Sequence, residues 1–311
     1  MKKNYKISIA IPTYNGFKGL QKHLKIFFNS KKKSLYEMVI TDNCSTDKTQ
    51  KLVKNYQRIC KNIKYFRNIK NYGFNYNFLK SIDNCSGDFI FFLSDDTIPS
   101  ANIYDELYNK IESSNNKIIF IPYKNAKIWK NKFFSKTKVS HVISRGSMAW
   151  GVILKRKKIN YKYINKNQLY PQNRLYMNYF LKYDFENLKM NSYIYNYKIK
   201  ENLISKFSDR MQRKSDYAQL DKIKSLEIYY KKNKIDFIEY FFGFYGIMNW
   251  VIQIKFNLNK SKNYRIEKIF FNKIYSYKKK FVIITLSLIM IKNIFNKKSN
   301  FILSTLLDLK K

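Results

Sequence analysis

The sequence predicts an α/β protein: a mostly parallel sheet flanked by helices, followed by a helical, basic C-terminal extension. Three observations carry this. Strand and helix signals alternate through residues 1–123, the short apolar runs there end abruptly in polar residues, and from about Phe207 onward no strand pattern recurs. Strands separated by helices of this length imply right-handed crossovers and parallel neighbours.

Taken in order, residues 7–11 form a compact, β-branched apolar run, and Leu20, Leu24, Phe27 and Phe28 then recur at helical spacing. Residues 38–41 are the next strand, with Ser45 or Thr46 as N-cap of a helix carrying Leu52, Val53 and Tyr56. Residues 63–66 supply a third strand. Phe74, Phe78 and Ile82 mark another helical face, 89–93 a strand, Ile103, Leu107 and Ile111 a further helix, and 118–123 a further strand. Between 124 and 202 the pattern loosens into a basic, aromatic region in which 144–154, 169–182 and 190–198 look structured. Beyond it, 240–254 and 281–291 are unusually apolar. The second is bracketed by Lys278, Lys279, Lys280, Lys292, Lys297 and Lys298. Its eleven residues span about 17 Å as a helix, short of a hydrocarbon core of about 30 Å. A helix lying in the membrane interface fits better than one crossing it, and packing on the protein's own core is the competing reading.

The composition bounds the rest. With 311 residues and 45% hydrophobic content the chain can bury a substantial core, and the net charge of +40 implies anionic partners. Abundant Lys, Asn, Ile, Tyr and Phe beside only 8 Gly and 4 Pro also fit an AT-rich coding sequence. Cys44, Cys60 and Cys85 make no CxxC pair and read as free thiols of a reducing compartment; with only His23 and His141, a His/Cys zinc site is not expected. Asn15 and Gly16 interrupt the first apolar run too early for a secretory signal.

Four segments carry the chemistry: 8–15 (SIAIPTYN), 39–47 (VITDNCSTD), 71–77 (NYGFNYN) and 87–96 (GDFIFFLSDD). Ligands of open α/β sheets sit at the carboxyl ends of strands. Pro12, Thr13, Tyr14 and Asn15 offer a ring beside backbone amides, suited to a base, or else an ordinary strand-to-helix turn. Asp42 leaves a strand where it could accept a pyrimidine N–H, or cap the next helix, as Asp47 is expected to do. Asn71 and Gly73 read as part of a nucleotide-sugar site or as a helix start with amide caps. Asp95 and Asp96 end a buried strand and point oppositely, so one can reach a divalent ion while the other reaches a ribose. Mn2+ or Mg2+ held by one carboxylate plus diphosphate oxygens is the usual arrangement for such hard cations.

With these segments in this order, the chain resembles the family-2 inverting glycosyltransferases of the glycosyltransferase-A fold, closest to the abequosyltransferase-like bacterial members that build surface polysaccharides. The resemblance covers about 5–125 well, 140–200 loosely, and the C-terminal third only in being basic and helical. It implies that Pro12 and Tyr14 contact the base, Asp42 binds it, Asp95 lies near the ribose, and Asp96 is the metal-binding aspartate of an Asp-x-Asp-like motif. Ser94 takes that motif's first position, and Thr97 replaces an acid common there. The family's catalytic aspartate has no counterpart in 169–174 (LYPQNR). Asp184, Glu186 and His141 are the neighbouring candidates, and the base stays unassigned. In 145–151 (RGSMAWG), Trp150 offers an acceptor sugar a stacking face, with core packing as its equal competitor.

The resulting expectation is a catalytic domain over 1–205, divided into a nucleotide-sugar half (1–123) and an acceptor half (124–205), with a basic helical region over 206–311. It would act at the cytosolic face of the plasma membrane as a peripheral protein, moving a sugar from a nucleotide donor to a lipid-linked or oligosaccharide acceptor. The alternatives are a degenerate, donor-binding scaffold and a single-strand nucleic-acid binder. Against the last, no nucleic-acid motif is present and the lysines run along the whole chain.

Overall fold

A computed structural model describes residues 6–111, 118–121 and 150–159, shorter stretches of 175–196 and 222–248, and residue 284. The chain divides into two compact units, one of residues 1–130 and 148–199, the other of 131–147 and 200–311.

The first unit is built on a seven-stranded sheet. Its first half runs β1 (Ile7–Thr13), α1 (Phe17–Asn29), β2 (Tyr36–Asp42), α2 (Thr49–Ile59), β3 (Ile63–Arg67), α3 (Phe74–Asp83) and β4 (Phe89–Phe92). After these come β5 (Thr97–Pro99), α4 (Ile103–Ile111), β6 (Ile118–Phe120), β7 (Val152–Lys155), β8 (Phe185–Asn187) and β9 (Ile194–Asn196). The strand order is β3-β2-β1-β4-β7-β6-β8, with β5 and β9 in a separate two-stranded ribbon. The pairs β1–β2, β1–β4 and β2–β3 are parallel, and β7 alone runs against its neighbours β4 and β6. The expected mostly parallel sheet is therefore present. Strand β8 falls where Asp184 and Glu186 read as the start of a strand, whereas β5, three residues long and paired only in the ribbon, was not revealed by the periodicity.

Strands β1 and β2 are buried at every position, as central parallel strands must be. Leu20, Leu24 and Phe27 of α1 and Val53 of α2 close one face of the sheet, and Phe78 and Ile82 of α3 the other. Right-handed crossovers put α1 and α2 together on one face and α3 on the opposite one. Phe74, read as part of the buried stripe of α3, is instead 41% exposed. The helix that Ser45 or Thr46 was expected to cap starts later, at Thr49, and Lys48 is its N-cap. Asp47 does the capping, accepting from the Thr49 N–H at 3.0 Å and from the first N–H of α1, on Phe17, at 3.2 Å.

The described part of the second unit is helical, as expected. Residues 222–224, 226–231, 237–241, 243–245, 247 and 248 are helical; between 231 and 237 Asn233 has φ of 53°, and Asp236 accepts from the Glu239 N–H at 2.7 Å. The apolar run from Tyr240 turns Tyr240, Phe244, Ile247 and Met248 inward. The run 281–291 lies outside the described residues except for exposed Ile284. No described helix is long and apolar enough to cross a membrane. All three cysteines are free, as expected.

Candidate active site

The carboxyl ends of β1, β2 and β4 converge, and the residues singled out by sequence converge with them. Pro12 is buried inside β1 opposite Thr41, and Thr13 lies opposite Asp42. Beyond the strand, Tyr14 is 48% exposed and Asn15 adopts a left-handed φ of 54°. Cys44, in the loop after β2, is also left-handed, at 66°. Two such residues facing each other across neighbouring strand ends mark a locally strained corner. It is held shut by hydrogen bonds. The Asn15 N–H donates to Ser45 Oγ at 2.8 Å, and the Thr46 N–H donates to Asn15 Oδ1 at 2.8 Å.

Asp42 is fully covered. One carboxylate oxygen accepts from the Ser45 N–H at 2.9 Å and from the Ser45 hydroxyl at 2.5 Å. The other accepts from the Tyr65 hydroxyl at 2.5 Å and faces Arg67 Nε at 3.5 Å. Burial, then the Asp42 carboxylate beside it, pushes the Tyr65 phenol well above its ordinary range, so it stays protonated as a donor. Beneath this corner runs a ladder of asparagine amides. Asn43 Nδ2 donates to Asn71 at 2.6 Å, Asn68 Nδ2 to Asn43 at 3.1 Å and to Asn77 at 3.0 Å, and Asn77 Nδ2 to the Thr41 carbonyl at 2.8 Å. Asn71 also accepts from the N–H of Gly73, which has φ of 86° and starts α3. The ladder joins the loop 71–73 to the ends of β1, β2 and β3.

The turn after β4 supplies the carboxylates. The Leu93 N–H still pairs with the Ala10 carbonyl at 3.0 Å, and the Thr97 N–H closes a turn onto the Ser94 carbonyl at 3.2 Å. Asp95, half-buried, accepts from the Thr13 hydroxyl at 2.6 Å and from the Tyr14 backbone N–H. Burial pushes Asp95 up to about 7; the Thr13 hydrogen bond pulls it back and the charge on Asp96 adds to the rise. Asp96 is exposed, its carboxylate taking the Ser94 hydroxyl and, at 3.4 Å, that of Thr97. The two carboxylates thus diverge as expected, one toward β1 and one toward solvent.

Two features beneath this turn escaped the sequence reading. His23 of α1 is buried and its Nε2 donates to the Ser94 carbonyl at 2.9 Å. Burial lowers it to about 4, so the ring is neutral. Gly16 and Gly19 let α1 lie directly on the turn. A Cβ on Gly19 would stand 1.7 Å from the Asp95 carbonyl oxygen, and one on Gly16 2.2 Å from its carboxylate. The available signal was two of only eight glycines three residues apart at a helix start.

On the other side of β4, half-buried Trp150 meets Phe74 and Phe78 edge-on at 6.1 and 6.3 Å. The N–H of Gly151 pairs with the Phe92 carbonyl at 2.9 Å, which fixes Trp150 beside the strand end. Glu186 lies in β8, three strands from β4 and so about 14 Å across the sheet. Asp184, His141 and 169–174 lie outside the described residues.

Among the described residues no three His, Cys, Asp or Glu side chains gather as a metal cage. The donor set at the turn is one exposed carboxylate flanked by hydroxyls. It fits a hard divalent cation that takes its remaining oxygens from a diphosphate and water.

Solved structures share the fold. A crystal structure of S. aureus TarS 1-349 aligns over 98% of this chain and 88% of its own, with a TM-score of 0.64 at 14% identity. The mannosyltransferase PcManGT from Pyrobaculum calidifontis, in complex with GDP-Man and Mn2+, aligns over 99% and 88%, at 0.56 and 9%. Both are likenesses of fold, and bear out the expected glycosyltransferase-A architecture. Two curated proteins match in sequence. The GalNAc(5)-diNAcBac-PP-undecaprenol beta-1,3-glucosyltransferase of Campylobacter jejuni is 40% identical over 93 residues, 29% of each chain. The dolichyl N-acetyl-alpha-D-glucosaminyl phosphate 3-beta-D-2,3-diacetamido-2,3-dideoxy-beta-D-glucuronosyltransferase of Methanococcus voltae is 34% identical over 155 residues, 46% of this chain and 47% of that one. The matches thus span less than half the length of either relative. A model of the family described as glycosyl transferase family 2 matches residues 8–186, from the start of β1 into β8 and across every strand end that builds the site. With more than half of the chain inside that match, the protein belongs to glycosyl transferase family 2.

Proposed function

We propose that this protein transfers a sugar, with inversion, from a nucleotide-sugar donor to a lipid-linked or oligosaccharide acceptor in the assembly of a bacterial surface polysaccharide, working at the cytosolic face of the membrane. The observation that carries the reading is the turn at Asp95 and Asp96, tied to Thr13 and Tyr14 at the end of β1. The two relatives, one named for an undecaprenol-linked and one for a dolichyl phosphate-linked sugar, support the acceptor class.

In this reading Tyr14 offers its exposed ring to the base. Asp42 accepts a base N–H by exchanging its longest contact, the 3.5 Å approach of Arg67. Asn15, Asn71 and Gly73 line the donor pocket, and Asp95 orients the ribose from its anchor on Thr13. Asp96 holds Mn2+ or Mg2+, which when bound offsets the negative charge of the departing nucleoside diphosphate. Trp150 and Phe74 present ring surface to the acceptor.

The test is a thermal-shift screen of nucleoside diphosphates with and without Mn2+, run on the wild type and on Asp96→Asn. One diphosphate should raise the melting temperature of the wild type only with Mn2+. The variant should melt normally alone, lose that gain, and fall by about a hundred-fold or more in diphosphate released from the matching donor. Turnover by Asp96→Asn equal to wild type would reject the reading. Ligand-induced stabilisation without any donor cleavage would instead favour a binding scaffold.

A further inference from the structure

Positive charge is not spread evenly over the first unit. Residues 16–70, which make α1, α2 and β3, hold fourteen Lys and Arg against three acids. Of those acids, Glu37 and Asp42 are buried, leaving Asp47 exposed. The next stretch, 71–111, holds two lysines against six acids. Coding bias toward lysine would not separate the signs in this way. Near α1 the acids of 71–111 return, since Asp105 of α4 accepts from the Ser30 hydroxyl and from the Lys32 N–H, each at 2.9 Å, so in space the excess of positive charge is left on α2 and β3.

The densest part is an open groove between α2 and the sheet-edge strand β3. It is lined by Lys54, Arg58, Lys61 and Lys64, together with Gln57 and Phe66, and no carboxylate lines it. Lys64 pairs with the buried Glu37 at 2.8 Å. Lys54, Arg58 and Lys61 are exposed. Ile59, in the last turn of α2, is 66% exposed, and Phe66 on the edge strand 39%. Cations clustered around protruding apolar side chains are the pattern of an interfacial membrane contact, in which lysine and arginine meet lipid phosphates while apolar groups enter the headgroup boundary.

We propose that this groove is a docking surface for the phosphate headgroups of an acidic membrane. It lies on the folded first unit, and so does not require the apolar C-terminal run. It stands apart from the strand-end site, since its cations come from the later turns of α2 and from β3, and none of them touches the Asp95–Asp96 turn. The inference does not depend on the sugar-transfer reading, because membrane binding is measured without donor or acceptor.

The test is co-sedimentation of the full chain with phosphatidylcholine vesicles containing phosphatidylglycerol, and with phosphatidylcholine vesicles alone. Three proteins are compared: wild type, Lys54→Glu/Arg58→Glu/Lys61→Glu, and a control of equal net charge, Lys157→Glu/Lys182→Glu/Lys189→Glu, altered at exposed lysines elsewhere in the unit. The wild type should bind only the acidic vesicles, and more weakly as salt is added. The groove variant should lose about a hundred-fold in partition, as expected for three cations near an acidic surface, and the control far less. Equal losses in both variants would mean diffuse attraction and overturn the proposal, as would no loss in the groove variant. A labelled single-stranded oligonucleotide supplies the remaining arm. If the groove variant loses oligonucleotide binding but keeps its vesicle partition, the surface reads nucleic acid and the proposal fails. The neutral triple Lys54→Gln/Arg58→Gln/Lys61→Gln repeats the comparison should charge reversal prevent folding.

Discussion

At the scale of single residues, the candidate site depends on groups that never touch a ligand. His23 is the clearest. Its ring is buried against the Ser94 carbonyl, Nδ1 has no partner, and its pKa is lowered from 6.5 to about 4. In the unfolded chain the imidazole takes a proton near pH 6.5, and in the folded chain only near 4. The unfolded state therefore binds more protons between those values. Stability from this group is complete above about pH 6.5 and is lost as pH falls toward 4, by about 3 kcal/mol in all. In His23→Leu that loss should disappear, while the Ser94 carbonyl, left without its ring donor, costs about 1–2 kcal/mol at neutral pH. Urea denaturation should therefore find the wild type more stable at about pH 7 and the variant equal or better near pH 4. Parallel curves would show that His23 is not held neutral. Little of this was legible in the sequence. Asp42, Asp95 and Asp96 announced themselves by following apolar strands, whereas His23 and Tyr65 act through Ser94 and Asp42, and Ser45 and Asn68 also bond to Asn15 and Asn43, each of these partners 23 or more residues away. Such pairings arise only once the strand ends are brought together.

At the scale of elements, legibility follows length and burial. Every strand and helix of 6–111 except β5 was readable, because parallel strands buried on both faces are continuous apolar runs and the helices keep an apolar stripe. Errors occurred where a polar side chain was used in an unexpected way. Strand β2 begins at Tyr36, not Met38, because Glu37 is internal to the fold. Its carboxylate takes donors from Ser8, Ser86, Gly87 and Lys64. Ser45 does not cap α2 because Asp42 and Asn15 already engage it. The packing of α1 on the turn after β4 gives the prediction for this scale. Helix propensity alone says Gly19→Ala should stabilise α1 by up to about 1 kcal/mol. The added methyl would instead overlap the Asp95 carbonyl at 1.7 Å, a backbone atom that cannot swing away. The overpacking penalty of about 1–3 kcal/mol should win. Gly19→Ala should melt lower than wild type and weaken nucleoside diphosphate binding, since the whole turn carrying Asp96 must shift. A variant that is more stable and binds normally would show that α1 and the turn are not in register as described.

At the scale of the whole molecule, net charge decides how the chain responds to its solvent. With 61 basic and 21 acidic residues, repulsion among like charges exceeds attraction between the few opposite ones. Among the described residues the ion pairs are also poor candidates for long-range compensation. Lys231–Glu227 and Lys110–Glu106 are neighbours on one helix turn, and Lys64–Glu37 and Arg67–Asp42 are fixed around buried carboxylates that salt screens little. Added salt should therefore stabilise the protein, the reverse of its effect on a chain held by surface ion pairs. Raising ionic strength from about 0.01 to 0.15 M shortens the screening length from about 30 to 8 Å. That is enough to isolate cations on separate helices from one another electrostatically. A gain of about 1 kcal/mol would raise the melting temperature by about 2–4 °C. The measurement is a melting series in sodium chloride, repeated in sodium phosphate at matched ionic strength. A fall in melting temperature with chloride would mean that exposed ion pairs outweigh repulsion. A rise in phosphate alone would assign the gain to oxyanions bound at discrete cation clusters, of which the groove of Lys54, Arg58 and Lys61 is the foremost, rather than to screening of the whole charge.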